Sequence, residues 1–296
     1  MTTAQPGIFA LGTRAHTHLE LDLLPGIGMA KLLPALRDLR VAGVNLVLGF
    51  GAETWRKLAP DDVPIGSAPF AASHGPGGAV PATQHDVWAW VHGHGPDEVL
   101  DAARAVTAAL EPAATLATER AGFVYKDSRD LTGFIDGTEN PAVAEAPEVA
   151  LVPPGQPGSA GSHVLFMRWV HDLGRFHALP VAEQEGVIGR TKLESLELDD
   201  AVMPPTSHVR RVVVEEDGQE LEIWRRSVPY GGVGEHGLLF VAFSADPSRF
   251  DVMLARMLGL SGDGLSDRLM DFTRPVSGAR YFAPSLEALD YALSSP

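Results

Sequence analysis

Three short strings hold the residues best placed to do chemistry. Gly133-Phe134-Ile135-Asp136-Gly137-Thr138-Glu139-Asn140-Pro141 sets an acid at the end of an apolar run, with glycine directly after it. Glycine takes positive φ at no steric cost, and a residue before proline is driven out of the helical region. Asp136 therefore sits on a tight corner, either as a turn cap or as a carboxylate held rigidly at the edge of a core. His208 follows Met203-Pro204-Pro205-Thr206-Ser207, which cannot be regular structure, and precedes Val209 to Val214, expected as an apolar strand. A neutral imidazole fixed there could bind iron through one nitrogen; its plainer role is to begin a strand. Ile223-Trp224-Arg225-Arg226-Ser227-Val228-Pro229-Tyr230-Gly231 carries two arginines in an otherwise apolar strand. They must point to opposite faces, one to solvent and one into a pocket, where a buried cation needs a partner.

Other strings promise less. His16-x-His18 and His92-x-His94 place histidines on one face of a strand, as a metal site requires, but no third ligand is spaced nearby. Polar strand-face histidines are the expectation for both. His171 and His177 flank a glycine and read as loop residues. Gly232-Val233-Gly234-Glu235-His236-Gly237 matches G-x-G-x-x-G, yet an apolar strand follows where a dinucleotide fingerprint needs a helix.

Composition narrows the classes. The absence of cysteine excludes disulfides, thiolate nucleophiles, Cys-type zinc sites, iron–sulfur clusters and thiolate-ligated haem. A net charge of −15 makes nucleic acid and anionic membranes poor partners. No apolar run reaches the length of a membrane span. Met1 to Leu11 shows no basic region, long apolar core or twin-arginine pair, so a cytoplasmic protein is expected.

The elements that must position these strings come in two sets. Arg14 to Leu23 alternates polar and apolar residues as a half-buried strand. A helix over Met29 to Arg40 follows, with Pro34 near its first turn, then a strand at Val44 to Phe50. Residues 60–84 read as a long loop. Asp86 to His92 is expected as a strand, Pro96 to Leu110 as a helix and Thr115 to Tyr125 as a strand. The proline- and glycine-rich residues 141–161 suggest a linker between residues 1–140 and 162–296. The second set runs Ser162 to Leu173, Val181 to Ile188, Val209 to Glu216, Leu221 to Arg226 after an Asp217-Gly218 turn, Leu238 to Ser244, Pro247 to Leu258, helical Leu265 to Phe272, and a strand near Ala279 to Phe282. Two β-α-β-β-α-β sets imply an α+β fold of two tandem ferredoxin-like units, antiparallel sheets with helices on one face.

Together the strings resemble the dye-decolorising peroxidases, haem enzymes that reduce hydrogen peroxide, and among them the compact bacterial B-type members. The first resembles the family's GxxDGTxN signature, the second its proximal-histidine stretch and the third its R-x-(N/S)-x-P-(Y/F)-G segment. The resemblance implies haem b as cofactor with His208 as its metal ligand. It implies Asp136 as the carboxylate that moves the peroxide proton and Arg225 as the cation that stabilises charge on the breaking O–O bond. Ser227 takes a third distal place often filled by asparagine. Arg225 is also expected to favour an ionised Asp136.

Asp267, or Asp271 one turn on, is expected to accept the free N–H of His208. Leu239, Phe240 and Phe243, with Met253 or Met257, are expected to wall the pocket, and Arg190 to meet a haem propionate. The implied cycle passes through a ferryl intermediate and oxidises dyes, phenols or other small one-electron donors. Larger donors would react through relays among Trp55, Trp88, Trp90, Trp169, Trp224 and Tyr281. The resemblance further implies a homo-oligomer, from dimer to hexamer. Two rivals stand beside this reading: a haem-handling protein without peroxidase turnover, and cargo of a protein nanocompartment, for which Leu293-Ser294-Ser295-Pro296 offers no obvious docking tail.

Overall fold

Two sets of the same order appear in the computed structural model, which describes residues 2–216 and 218–294. The first comprises strand β1 (Ala15–Leu23), helix α1 (Gly28–Asp38), strands β2 (Asn45–Phe50) and β3 (Val87–Gly93), helix α2 (Pro96–Leu110) and strand β4 (Ala114–Phe123). The second comprises strand β5 (Ser162–His171), helices α3 (Val181–Ile188) and α4 (His208–Val212), and strands β6 (Trp224–Arg225), β7 (Val228–Gly231) and β8 (His236–Ser244). Helix α5 (Ser248–Leu258), strands β9 (Thr273–Pro275) and β10 (Ala279–Ala283) and helix α6 (Leu286–Ser294) complete it.

The strands lie β4-β1-β3-β2 in the first sheet and β7-β8-β5-β10 in the second, all antiparallel. Both are ferredoxin-like sheets of the same strand order. They meet along two thin seams, Tyr230 beside Gly122 and Phe282 beside Phe50, which close them into one barrel. β6 continues the β7 ribbon along β8, and β9 lengthens the β5 edge beyond β10.

Strand alternation decides what faces where. In β3, Val87, Ala89 and Val91 meet the helices of the first unit, packing on Val99, Val106 and Leu110 of α2. Each of these buried valine and leucine side chains stabilises the fold by roughly 1.5–3 kcal/mol. Trp88 and Trp90 point the other way, into the barrel, with Leu239, Val241 and Phe243 of β8. The histidines expected on a polar strand face lie there too. His16, His18 and His92 are 3 %, 0 % and 0 % exposed. His18 stacks on Phe166 at 4.6 Å and His92 on Trp90 at 3.9 Å. Desolvation holds His18 well below the usual imidazole range, so it is neutral at physiological pH. Among the described residues no group of three or more potential metal ligands gathers, and His94 lies beyond the end of β3.

Other expectations need correction. Val209 to Val214 is not a strand: α4 begins at His208, where the Ser207 side chain accepts a hydrogen bond from the Arg210 N–H. Pro34 lies inside α1 rather than in its first turn. The loop over 60–84 contains a small hairpin, Ser73–Gly75 with Gly78–Val80. Only one 3-10 turn, Arg268–Asp271, forms where a helix was expected over Leu265 to Phe272. Across the Asp217-Gly218 turn, Glu215–Glu216 pairs with Gln219–Glu220; Asp217 itself lies outside the described residues. Leu221 to Arg226 is strand only at Trp224–Arg225. Residues 141–161 carry a helical turn, Ala146–Ala150, whose Val149 carbonyl accepts a hydrogen bond from the Ala245 N–H at 2.8 Å. Of the C-terminal string, Ser295 and Pro296 lie outside the described residues, and Leu293 and Ser294 close α6.

Candidate active site

Between the outer face of the second sheet and α5 lies a cavity. Leu165, Met167 and Trp169 of β5, Leu238 and Phe240 of β8, and Met253 and Met257 of α5 make it largely apolar. His208, Asp136, Arg225 and His171 are polar groups on its wall. The period of two explains one correction: Phe240 faces the cavity, so Leu239 and Phe243 must face the barrel interior, and both are fully buried there.

His208 is aimed by its surroundings. Its Nδ1 lies 2.6 Å from Asp267 Oδ2. The other Asp267 oxygen accepts the Leu269 N–H at 2.8 Å, so both are satisfied on a side chain 1 % exposed. Asp271 plays no such part; its carbonyl accepts from Arg175. Arg211, one turn along α4 and 2 % exposed, ties this arrangement together. Its guanidinium donates to the Arg256 and Leu265 carbonyls, Ser261 Oγ and Asp263. That fixes the short helix to the loop leading to Asp267. The sequence signal for Arg211 was only its i+3 spacing from His208.

Asp136 sits where the turn chemistry places it. Gly133 and Gly137 have φ of 92° and 80°, the left-handed region, and the Asp136 N–H donates to the Ser128 carbonyl at 3.0 Å. The Arg225 guanidinium favours the ionised carboxylate, as expected, but burial outweighs it and pushes the Asp136 carboxyl above the usual range. Arg225 Nε is buried without a hydrogen-bond partner. Its backbone, by contrast, is clamped. The Arg225 N–H donates to Asn140 Oδ1 at 2.9 Å, and Asn140 Nδ2 donates back to the Arg225 carbonyl at 2.8 Å. One side chain, four residues after Asp136, thus fixes the acid's turn to the arginine's strand. Asn140→Ala is expected to cost about 1–3 kcal/mol in urea unfolding, because it strands a backbone donor and acceptor. It should also slow the reaction with peroxide by displacing Arg225 from Asp136. Asn140→Asp, which keeps the acceptor, should lose less of both.

A second chamber shares Asp136 and Arg225 with the first and is lined by Thr13, His16, Tyr125, Asn140 and Ser227. Ser227 belongs to this side rather than to the apolar cavity, and its Oγ accepts the Val241 N–H at 3.3 Å. Arg226 points away from Arg225 but not to solvent: it donates to the Ile8 and Ala10 carbonyls and lies over the Trp90 ring at 5.2 Å. Arg190 is not on the cavity wall. It is paired with Glu139 and with Glu197. The five tryptophans are all buried, so none offers a large donor a surface contact. His171, read as a loop residue, ends β5 on the cavity wall. Its Nε2 lies 3.1 Å from Asp130 Oδ1 and its Nδ1 2.7 Å from Thr273 Oγ1. Burial would push Asp130 up, but hydrogen bonds from His171 and Thr132 hold it down to about 2.

This cavity suits a haem. Its walls are apolar, one imidazole nitrogen is left to face it, and a guanidinium donor on it lacks a protein partner. An imidazole backed by a buried acid, an acid and a guanidinium on the same cavity, and two ferredoxin-like sheets closed into a barrel define an α+β haem peroxidase. The Dyp-type peroxidase N-terminal model matches residues 33–124, and the C-terminal model matches residues 127–288. The chain belongs to the dye-decolorising peroxidase family.

It is 37 % identical over 258 residues to the dye-decolorizing peroxidase of Rhodococcus erythropolis, covering 86 % of this chain and 76 % of that one. With the Mycobacterium tuberculosis protein of that name it shares 35 % identity over 252 residues, 84 % of this chain and 75 % of that one. A putative Dyp-type peroxidase from Shewanella oneidensis superposes with a TM-score of 0.92 at 32 % identity, over 100 % of this chain and 99 % of that one. DypB of Rhodococcus jostii superposes at 0.87 with 33 % identity, over 95 % and 94 %, and variants of it are solved in complex with haem.

Proposed function

We propose that His208 holds the iron of a haem b in the apolar cavity and that Asp136 and Arg225 act on peroxide there. The chain is a haem peroxidase that reduces hydrogen peroxide and oxidises dyes or other electron donors. The observation that carries the residue roles is the convergence on one cavity of His208, with Asp267 behind it, and the pair Asp136 and Arg225. Haem, held by His208, would supply the electrons that cleave the O–O bond.

The chain's own groups do the rest. Ionised Asp136 accepts the proton from one peroxide oxygen and returns it to the other, which leaves as water. Arg225 offers its guanidinium to the charge that grows as the bond lengthens. Asp267 accepts the His208 N–H, fixes the ring's tautomer and raises its basicity toward a metal. Asp136 and Arg225 on one cavity favour a catalyst over a haem carrier, which needs neither.

The proposal includes the division into residues 1–140, 141–161 and 162–296, supported by the thin seams between sheets, a homo-oligomer on the family resemblance, and a cytoplasmic location. No helix among the described residues is long and apolar enough to cross a membrane.

Haem titration of the purified apoprotein tests the ligand. Wild type should develop a Soret band with the spectrum of histidine-ligated haem, and His208→Ala should not. Asp267→Asn is expected to weaken haem affinity about 10- to 100-fold. An unchanged spectrum in His208→Ala would overturn the assignment.

A further inference from the structure

Among the described residues two acids are sealed almost completely from solvent, Asp267 at 1 % and Glu20 at 3 % exposure. Asp267 is accounted for by His208. Glu20 lies elsewhere, on the barrel-facing side of β1, and nothing in the peroxide site uses it. Its Oε1 accepts the Tyr281 hydroxyl at 2.6 Å and its Oε2 accepts the Thr118 hydroxyl at 2.8 Å. Tyr281, 3 % exposed, stacks on Trp88 with centroids 5.9 Å apart and planes 12° apart. Trp88 stacks in turn on Trp90 at 6.3 Å. Both indoles are fully buried, and Trp88 Nε1 has no hydrogen-bond partner.

This cluster is close to the haem cavity. Tyr281 pairs in register with Val164 of β5, and the next residue, Leu165, lines that cavity. Neighbouring strands lie about 4.8 Å apart, so a single sheet separates phenol from cavity. An acid is costly to bury, and the barrel would close at least as well over an apolar pair. A phenol, however, sheds its proton on one-electron oxidation, and in an interior without water that proton needs a base already in contact.

We propose that Tyr281 and Glu20 form an internal redox site, in which Tyr281 gives up an electron as its phenolic proton passes to Glu20. The proposal rests on the haem-peroxidase reading, which supplies the oxidant: the two-electron reduction of peroxide leaves two oxidising equivalents at the haem site, one of which takes this electron. The Tyr281 O–H bond breaks and an O–H bond forms at Glu20 Oε1. The electron fills the vacancy at the haem across that one sheet, and a neutral phenoxyl remains. An external donor's electron, with the proton returned from Glu20, restores the pair. The cluster thereby stores an oxidising equivalent when no donor is at hand. Burial and Glu20 hold the Tyr281 phenol well above its ordinary range, so it is protonated at rest. Burial also lifts Glu20, which makes it the better base.

Freeze-quench electron paramagnetic resonance of haem-loaded protein, mixed with equimolar peroxide and no donor, tests the pair. Wild type should give a tyrosyl signal that narrows when the protein carries ring-deuterated tyrosine. Tyr281→Phe should lose that signal, and Glu20→Gln, which keeps a hydrogen-bond acceptor but not a base, should lose it too. The haem absorption of both variants should still respond to peroxide. In the haem-free protein, ultraviolet titration should find one of the four tyrosines still protonated at a pH where the others have ionised, and Tyr281→Phe should remove it. Absence of any protein radical in a wild type whose haem does respond would overturn the inference alone. So would a signal that survives Tyr281→Phe and disappears in Tyr230→Phe, whose hydroxyl lies 3.3 Å from the exposed Glu235. No haem response to peroxide in wild type would instead sink the peroxidase reading.

Discussion

Asp136→Asn is expected to slow the reaction of peroxide with the haem-loaded protein by about 100- to 10,000-fold, the usual contribution of a positioned acid–base group. Stopped-flow absorbance at the Soret band measures it. Asparagine keeps the shape and the turn but neither accepts nor returns a proton. The same substitution should make the haem-free protein more resistant to urea at neutral pH. Burial raises the folded-state pKa of Asp136 above that of the unfolded chain. Between those two values the folded state binds more protons than the unfolded one, so stability falls as pH rises through that window. At neutral pH Asp136 is therefore a net cost to the fold, and asparagine relieves it. The peroxide rate of wild type should fall with acidification through the same raised pKa, because only the ionised carboxylate accepts the proton. A variant that loses both rate and stability would show that Asp136 is structural.

Arg225→Leu is the second large effect, an expected loss of about 100- to 1,000-fold in the same rate, as for removal of a donor aimed at developing charge. Leucine suits the apolar wall and leaves the Asn140 clamp intact, since that clamp grips only the backbone of residue 225. The fold should therefore survive. The guanidinium also pulls the Asp136 carboxyl down. Its removal should move the acid limb of the pH–rate profile upward, a shift that a merely structural residue would not produce. A rate and profile like those of wild type would remove Arg225 from the mechanism.

Much of this was written in the local sequence. The corner at Asp136 follows from glycine and proline, whose dihedral preferences act within a few residues and need no partner. Ferredoxin-like order could be counted from alternation and helical stripes, because periodicity of two or 3.6 reports which face is buried. It could not report against what: β1 alternates as a strand with one wet face, yet its histidines and Glu20 enter a closed barrel. Whether a polar face meets water or a second sheet depends on closure, and the two seams that close the sheets join residues more than 100 positions apart. In α4 the valines favour a strand locally, while its cap at Ser207 and the Arg211 anchor favour a helical turn. The choice of Asp267 over Asp271, the Asn140 clamp and the sign of the Asp136 shift likewise awaited three dimensions. Each depends on distance and desolvation between segments that chain order does not bring together. The sequence by itself determined the chemical groups and the corner that holds one of them; the tertiary structure decided which groups share a cavity and how far burial alters their charge.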